Sequence, residues 1–332
     1  MKRLVTTFGL FFVLHGSAVA QVDPHFSQYY AYPLWLNPGL TGVMDGGYRF
    51  TAIYRNQWSN VMTPFTTMGI SADVATNKNL NVGLNFLNQT AGEAGYHYLN
   101  AYASAAYSGV KFGKDNSQQI VIGIQAGLLS RRFDASKFQF GDQWNPVTGF
   151  DPSVASADML SKTSSSVFDA GAGISYVDVS AEKKVAIFAG VSAMHLTRPQ
   201  DPFVAAGVKQ TLPLRMTVHA GLRISLSELF SLTPHGLYMK QGNASETMAG
   251  IFGNYLVNEN TSLFLGTNYR FEDAIIVLTG VEYGSWRLGI SYDLTSSDLG
   301  KAVPGTNSLE LSLTYTSRKS GKPLRYLSCP RF

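Results

Sequence analysis

The 332-residue sequence holds one cysteine, Cys329, so no internal disulfide can form. Charge is scarce too. Asp, Glu, Lys and Arg make up 14% of the chain, against about 25% in soluble domains. What charge there is nearly balances: without Lys2 and Arg3, 24 basic residues face 22 acidic ones. That argues against a nucleic-acid partner, which wants a basic surface or stripe. Beyond the first turns of the chain no apolar run approaches the ~18 residues of a membrane helix. His-Glu-x-x-His, Gly-x-Ser-x-Gly and a phosphate loop are all missing, and the six histidines show no ligand spacing. No catalytic residue, cofactor or metal is expected.

What is plentiful is Gly (32), Tyr (17) and alternation. In Trp286-Arg287-Leu288-Gly289-Ile290-Ser291-Tyr292-Asp293-Leu294, apolar and polar residues take turns without a break. Strand side chains point to opposite faces with period two, so this strand has one greasy side and one wet side. The next strand does the same, with Leu309, Leu311, Leu313 and Tyr315 against Ser308, Glu310, Ser312 and Thr314. A hairpin of the two brings Trp286 against Tyr315. Its apolar band, edged by aromatics, matches the ~9–11 residues of a tilted membrane strand.

The same alternation starts at Tyr48, Phe50, Ala52 and Tyr54 and recurs along the chain to a count of fourteen. Pro234 and Gly236 soften the register around 230–239, so twelve or sixteen strands stay open. The longest connections, 131–166, 197–213 and 295–305, all follow odd-numbered strands, while most even links are short. Long loops outside and short turns in the periplasm are the outer-membrane pattern. A soluble β-sandwich also alternates, but it has no need of aromatic edges or of that loop asymmetry. The expectation is an all-β transmembrane antiparallel barrel of about fourteen strands spanning 48–317, in the outer membrane among its lipids, with both termini periplasmic.

Residues 1–20 read as a cleaved signal peptide: Lys2 and Arg3, a short apolar stretch, then Ala18-Val19-Ala20. Residues 21–47 form an arm in which Pro24, Pro33 and Pro38 forbid a regular strand or long helix. Its aromatics need something to dock on, either the barrel mouth or lumen, or a periplasmic partner. Residues 318–332 make a basic periplasmic tail. The inward charges, namely Arg49, Arg55, Arg215, Arg223, Arg270, Glu272, Glu282, Arg287, Asp293 and Glu310, are expected to pair, because unpaired burial costs several kcal/mol each. His219 lies on the same polar face and reads as a lumen-lining side chain.

The loop 131–166 carries Phe133, Phe138, Phe140, Trp144 and Phe150, too many large aromatics for a purely solvated loop. They fold into the mouth or form a patch for a protein partner, where Trp and Phe are favoured anchors. Phe138, Phe140, Asp142, Trp144, Phe150 and Asp151 are the candidate partner-binding residues. The acidic residues of this loop, Asp134, Asp142, Asp151 and Asp158, lack the spacing of a recognised calcium loop.

The opening Asp23-Pro24-His25-Phe26-Ser27-Gln28-Tyr29, then Asn37-Pro38-Gly39-Leu40-Thr41-Gly42 and Tyr54-Arg55-Asn56-Gln57-Trp58, resembles the PorP/SprF family of type IX secretion membrane proteins. The Cys-Pro-Arg-Phe end suits that family too; Gly39 departs from it, where Ala is more usual. The resemblance marks Asp23, Pro24, Phe26, Ser27, Gln28, Tyr29, Asn37 and Pro38 as a family motif. It implies a non-enzymatic Bacteroidetes outer-membrane barrel serving secretion or surface attachment of large proteins, gliding adhesins included. The implied partners are the periplasmic type IX components and the C-terminal domain of a secreted adhesin. An outer-membrane channel for small solutes is the competing reading, and a barrel enzyme would need a nucleophile–base pair that is not evident.

Overall fold

The computed structural model describes residues 23–317 apart from 60–62, 77, 94, 155, 157–161, 181–182, 202–209, 298–299, 301–302 and 304–305. The expected signal peptide, the basic tail and Asp158 lie outside the described residues.

The alternation resolves into one closed antiparallel barrel of fourteen strands. They are β1 (Tyr48–Gln57), β2 (Phe65–Val74), β3 (Leu80–Ala91), β4 (Tyr96–Phe112), β5 (Gln118–Arg132), β6 (Ser164–Asp178) and β7 (Val185–Met194). The ring continues through β8 (Arg215–Ser225), β9 (Phe230–Gln241), β10 (Ala244–Asn258), β11 (Thr261–Arg270), β12 (Ala274–Tyr283), β13 (Trp286–Thr295) and β14 (Ser308–Thr316). Each strand pairs with the next, and β14 pairs with β1 to close the ring. The soft point at Pro234 is real but local. Proline has no N–H to donate, and the β8–β9 ladder lapses between Gly221↔His235 and Ile224↔Leu232. On its other side β9 stays in register through Pro234↔Ile251, so fourteen strands stand.

The two faces divide as period two requires. Trp286, Leu288, Ile290, Tyr292 and Leu294 are exposed while Arg287, Ser291 and Asp293 are buried, and Trp286 meets Tyr315 at a ring-centroid distance of 4.8 Å. The same split puts Tyr48, Phe50 and Tyr54 outside and Arg49 and Arg55 inside. An apolar exterior around a charged interior inverts the plan of a soluble sandwich and suits lipid. Glu272 departs from expectation. Rather than facing inward it is exposed in the turn after β11, where its φ of 61° belongs to the tight reversal.

One prediction rests on these faces. Ile290→Arg puts a charge on the lipid side of β13 at mid-strand, which costs about 2–4 kcal/mol near the bilayer midplane. The folded, heat-modifiable gel band should fall markedly; an unchanged band would mean the faces are assigned the wrong way round.

The ring also sorts its connections. The links after odd strands, including 133–163, 195–214 and 296–307, leave from one end, here the long-loop end. The links after even strands, 75–79, 113–117, 179–184, 226–229, 259–260 and 284–285, leave from the short-turn end. Tyr48 and Thr316 therefore share the short-turn end.

Candidate functional site

The lumen is the chemically dense part of the molecule, and the chain before β1 runs through it. Its prolines restrict it to a four-residue helix, α1 (Pro33–Leu36), with single 3₁₀ turns at Tyr29–Ala31 and Pro38–Leu40. Every residue from 26 to 41 is buried. With so little regular structure, its backbone groups must find side-chain partners, since an unpaired buried N–H or C=O costs as much as a lost hydrogen bond. The barrel wall supplies them at three levels.

At the long-loop end, Asp23 is held in a charged clamp. One of its carboxylate oxygens lies 2.7 Å from Nε2 of His195 and accepts from Nη1 of Arg215 at 2.8 Å; the other accepts from the Tyr98 hydroxyl at 3.1 Å. His195 in turn bonds Asp169 through Nδ1 at 2.5 Å. Burial by itself would raise the Asp23 carboxyl, but His195 and Arg215 overcome it and hold the group well below the ordinary 3.8. Burial likewise lowers His195, but the charge of Asp23 and the bonds to both carboxylates push it up from 6.5 to about 9.

At the same end, Glu310 accepts two consecutive backbone N–H groups, from Ser27 at 2.9 Å and Gln28 at 2.7 Å. The Ser27 hydroxyl donates to Asp293 at 2.7 Å and accepts from Arg55 at 2.5 Å and Arg270 at 2.7 Å. Arg55 ties the node together by donating to both Asp293 and Glu310, at 2.9 and 3.1 Å. The expected pairing is thus present for Arg55, Arg215, Arg270, Asp293 and Glu310, with Arg287–Glu282 at 2.8 Å and Arg49–Asp73 at 2.8 Å as further pairs.

At mid-lumen the Tyr32 hydroxyl bonds Asn85, and Asn37 donates to the carbonyls of Ile174 and Val191 and lies 3.3 Å from His219 Nε2. His219 therefore lines the lumen, as its strand position implies. Two glycines make room for this turn. A Cβ at Gly123 would lie 2.2 Å from the Pro38 carbonyl oxygen, and one at Gly173 would lie 2.0 Å from the Asn37 side-chain oxygen. Near the short-turn end Asp73 accepts from the Gly42 N–H at 2.7 Å, while Arg49 donates to the carbonyls of Leu40 and Val43. The arm therefore crosses the lumen from one end to the other.

Most of the sequence motif is thus brought together here. Asp23, Ser27, Gln28 and Asn37 bond the wall; the Pro24 carbonyl accepts from the Trp35 indole at 3.0 Å, and Tyr29 bonds His235 at 2.7 Å. Phe26 packs edge-on against Tyr32, and Pro38 sits over Gly123. Asp169, His195 and Glu246 were not singled out from the sequence. Asp169 and Glu246 stand on polar strand faces that could have flagged them; His195 lies just past β7 and gives no such signal.

The other candidate residues lie apart, in the connection 133–163. Trp144 and Phe150 face each other across a two-residue ribbon, 5.8 Å between centroids, with Trp144 exposed. Phe133, Phe138 and Phe140 stack in sequence from Tyr96 at the rim, Phe138 and Phe140 half-buried. Asp142 and Asp151 are exposed. Asp134 and Asp151 accept from the Ser136 and Ser153 hydroxyls, turn-forming bonds within the loop.

The clamp has a pH signature. The raised His195 value contributes stability that is complete below 6.5 and is lost as pH rises through about 9, at most about 3 kcal/mol. The depressed Asp23 value contributes stability present above 3.8 and lost only as pH falls below it. Limited proteolysis near Asp23 should therefore quicken between pH 7 and 10. In His195→Gln that step should vanish; its persistence would place the titration elsewhere.

A family model described as type IX secretion system membrane protein PorP/SprF matches residues 18–315. Among curated proteins none matches the sequence. Among solved structures, a TodX deltaS2S3 mutant described as a monoaromatic hydrocarbon channel is similar at a TM-score of 0.52 and 11% identity, covering 86% of this chain and 94% of that one. The Pseudomonas putida toluene transporter TodX gives 0.49 and 9%, over 88% and 94%. At 11% identity the likeness to the deltaS2S3 mutant is one of fold.

Proposed function

The chain belongs to the PorP/SprF family of type IX secretion system membrane proteins, and from that premise we propose that it works as a non-enzymatic outer-membrane barrel that binds a large secreted surface protein. It engages that protein's C-terminal domain and supports its export or attachment, with the long loops outside and β1 and β14 meeting the periplasm, where the secretion machinery lies. The observation that carries this reading is the filled lumen: an arm bonded to the wall at both ends and in the middle occupies the path a solute would take. With the interior occupied, the surfaces left for work are the two ends. On the long-loop side, the exposed Trp144 and its neighbours offer the aromatic anchors that protein interfaces favour.

The competing reading, a channel for small solutes, predicts steady current from the intact protein in a planar bilayer, where we expect none. Replacing Phe140 and Trp144 together with Ser should reduce surface attachment of the secreted protein at least tenfold, about 1.4 kcal/mol or more, while the folded band on a gel is kept. Loss of the band instead would make those residues parts of the barrel's own structure.

A further inference from the structure

The direction in which the arm crosses the lumen has a topological consequence. Tyr48, where the wall begins, is at the short-turn end, beside Ser317, whose hydroxyl accepts from the Gly47 and Tyr48 N–H groups at 2.9 Å. Asp23 is at the other end. Its partners are Tyr98 near the start of β4, His195 just past β7, Arg215 at the start of β8 and Gln241 at the end of β9, all long-loop positions. His25, 3.7 Å from Glu246 near the start of β10, sits at the same level.

We infer that the arm enters the lumen at Asp23 from among the long loops, on the opposite side of the membrane from the end of β14. An even strand count puts the barrel's own first and last residues together in the periplasm, but the arm carries the chain back through the wall's interior. One residue adds at most about 3.6 Å of reach, so a label attached at position 22 reports the same end of the barrel as Asp23. Asp23 thereby shares with the connection 133–163 the face that a secreted partner meets. This placement relative to the loops is independent of the orientation proposed above; only the statement that both face the cell exterior rests on it.

Three single-cysteine chains test it, each made in the Cys329→Ser background: Val22→Cys, Val147→Cys as the long-loop reference and Glu259→Cys as the short-turn reference. Each is exposed to a membrane-impermeant maleimide on intact cells and after the outer membrane is opened. Val22→Cys should label together with Val147→Cys and oppositely to Glu259→Cys. Labelling together with Glu259→Cys, or no labelling under either condition, would overturn the inference. If Val147→Cys and Val22→Cys are both protected in intact cells, the inference stands and the proposed orientation fails. An epitope inserted before Asp23, scored by antibody on the same cells, gives an independent reading should a cysteine chain assemble poorly.

Discussion

Removing residues 23–46 should turn a silent barrel into a conducting one. The arm brings Tyr32, Leu34 and Asn37 into the middle of the ring at no measurable exposure, and its loss empties that space from end to end. The wall left behind is lined by Arg55, Arg215, Arg270, Asp293 and Glu310, whose partners in the arm would be replaced by water. A mixed-charge lumen of this kind favours neither ion strongly, so the current should be steady and weakly selective. The comparison is between the full chain, expected to give no steady current, and the deletion, with folding checked by the heat-modifiable band. A folded deletion that stays silent would mean that the wall side chains close the barrel unaided.

The largest single-residue effect is expected at Arg55. It is one of the largest fully buried side chains in the protein, and its guanidinium donates to Ser27, Asp293 and Glu310 at once. Arg55→Ala leaves Asp293 with Arg270 at 3.3 Å but takes from Glu310 the guanidinium it pairs with, and breaking a buried pair in this way costs about 3–5 kcal/mol. Arg55→Lys keeps the charge but not the planar fork that reaches several acceptors, so it should fall between. Urea unfolding in lipid vesicles reads the loss. A change under about 1 kcal/mol for Arg55→Ala would show that water already satisfies the node and that the arm is held chiefly by its apolar residues.

These expectations differ in how far the sequence reveals them. The wall is legible because period two is a local rule: Trp286 through Leu294 declares both its faces without reference to anything else, and the pairing with Leu309 to Tyr315 follows from adjacency. The lumen charges on that rule, such as Arg55 and Glu310, could be placed inward but not paired with the arm. The partner of Ser27 is 283 residues away, and only ring closure brings the two together. The arm is harder still, since a segment without periodicity says that it must dock but not where, nor in which direction it runs. Glu272 shows the opposite failure. It continues the alternation of β11 by one residue after the chain has already turned, because a reversal needs a positive φ that the pattern cannot register. The loop aromatics were legible as a group, yet the ribbon that sets Trp144 against Phe150 depends on two-residue pairing too short to read.

On the proposed function this barrel holds a protein and does not conduct solutes. The most direct measurement is a gentle detergent pull-down of the tagged full-length chain from its native envelope, read by mass spectrometry, alongside the Phe140→Ser, Trp144→Ser double variant. The account predicts one large secreted protein recovered in near-stoichiometric amount through its C-terminal domain, and largely lost in the double variant. Recovery of no stoichiometric protein, together with steady current from the intact chain, would contradict it.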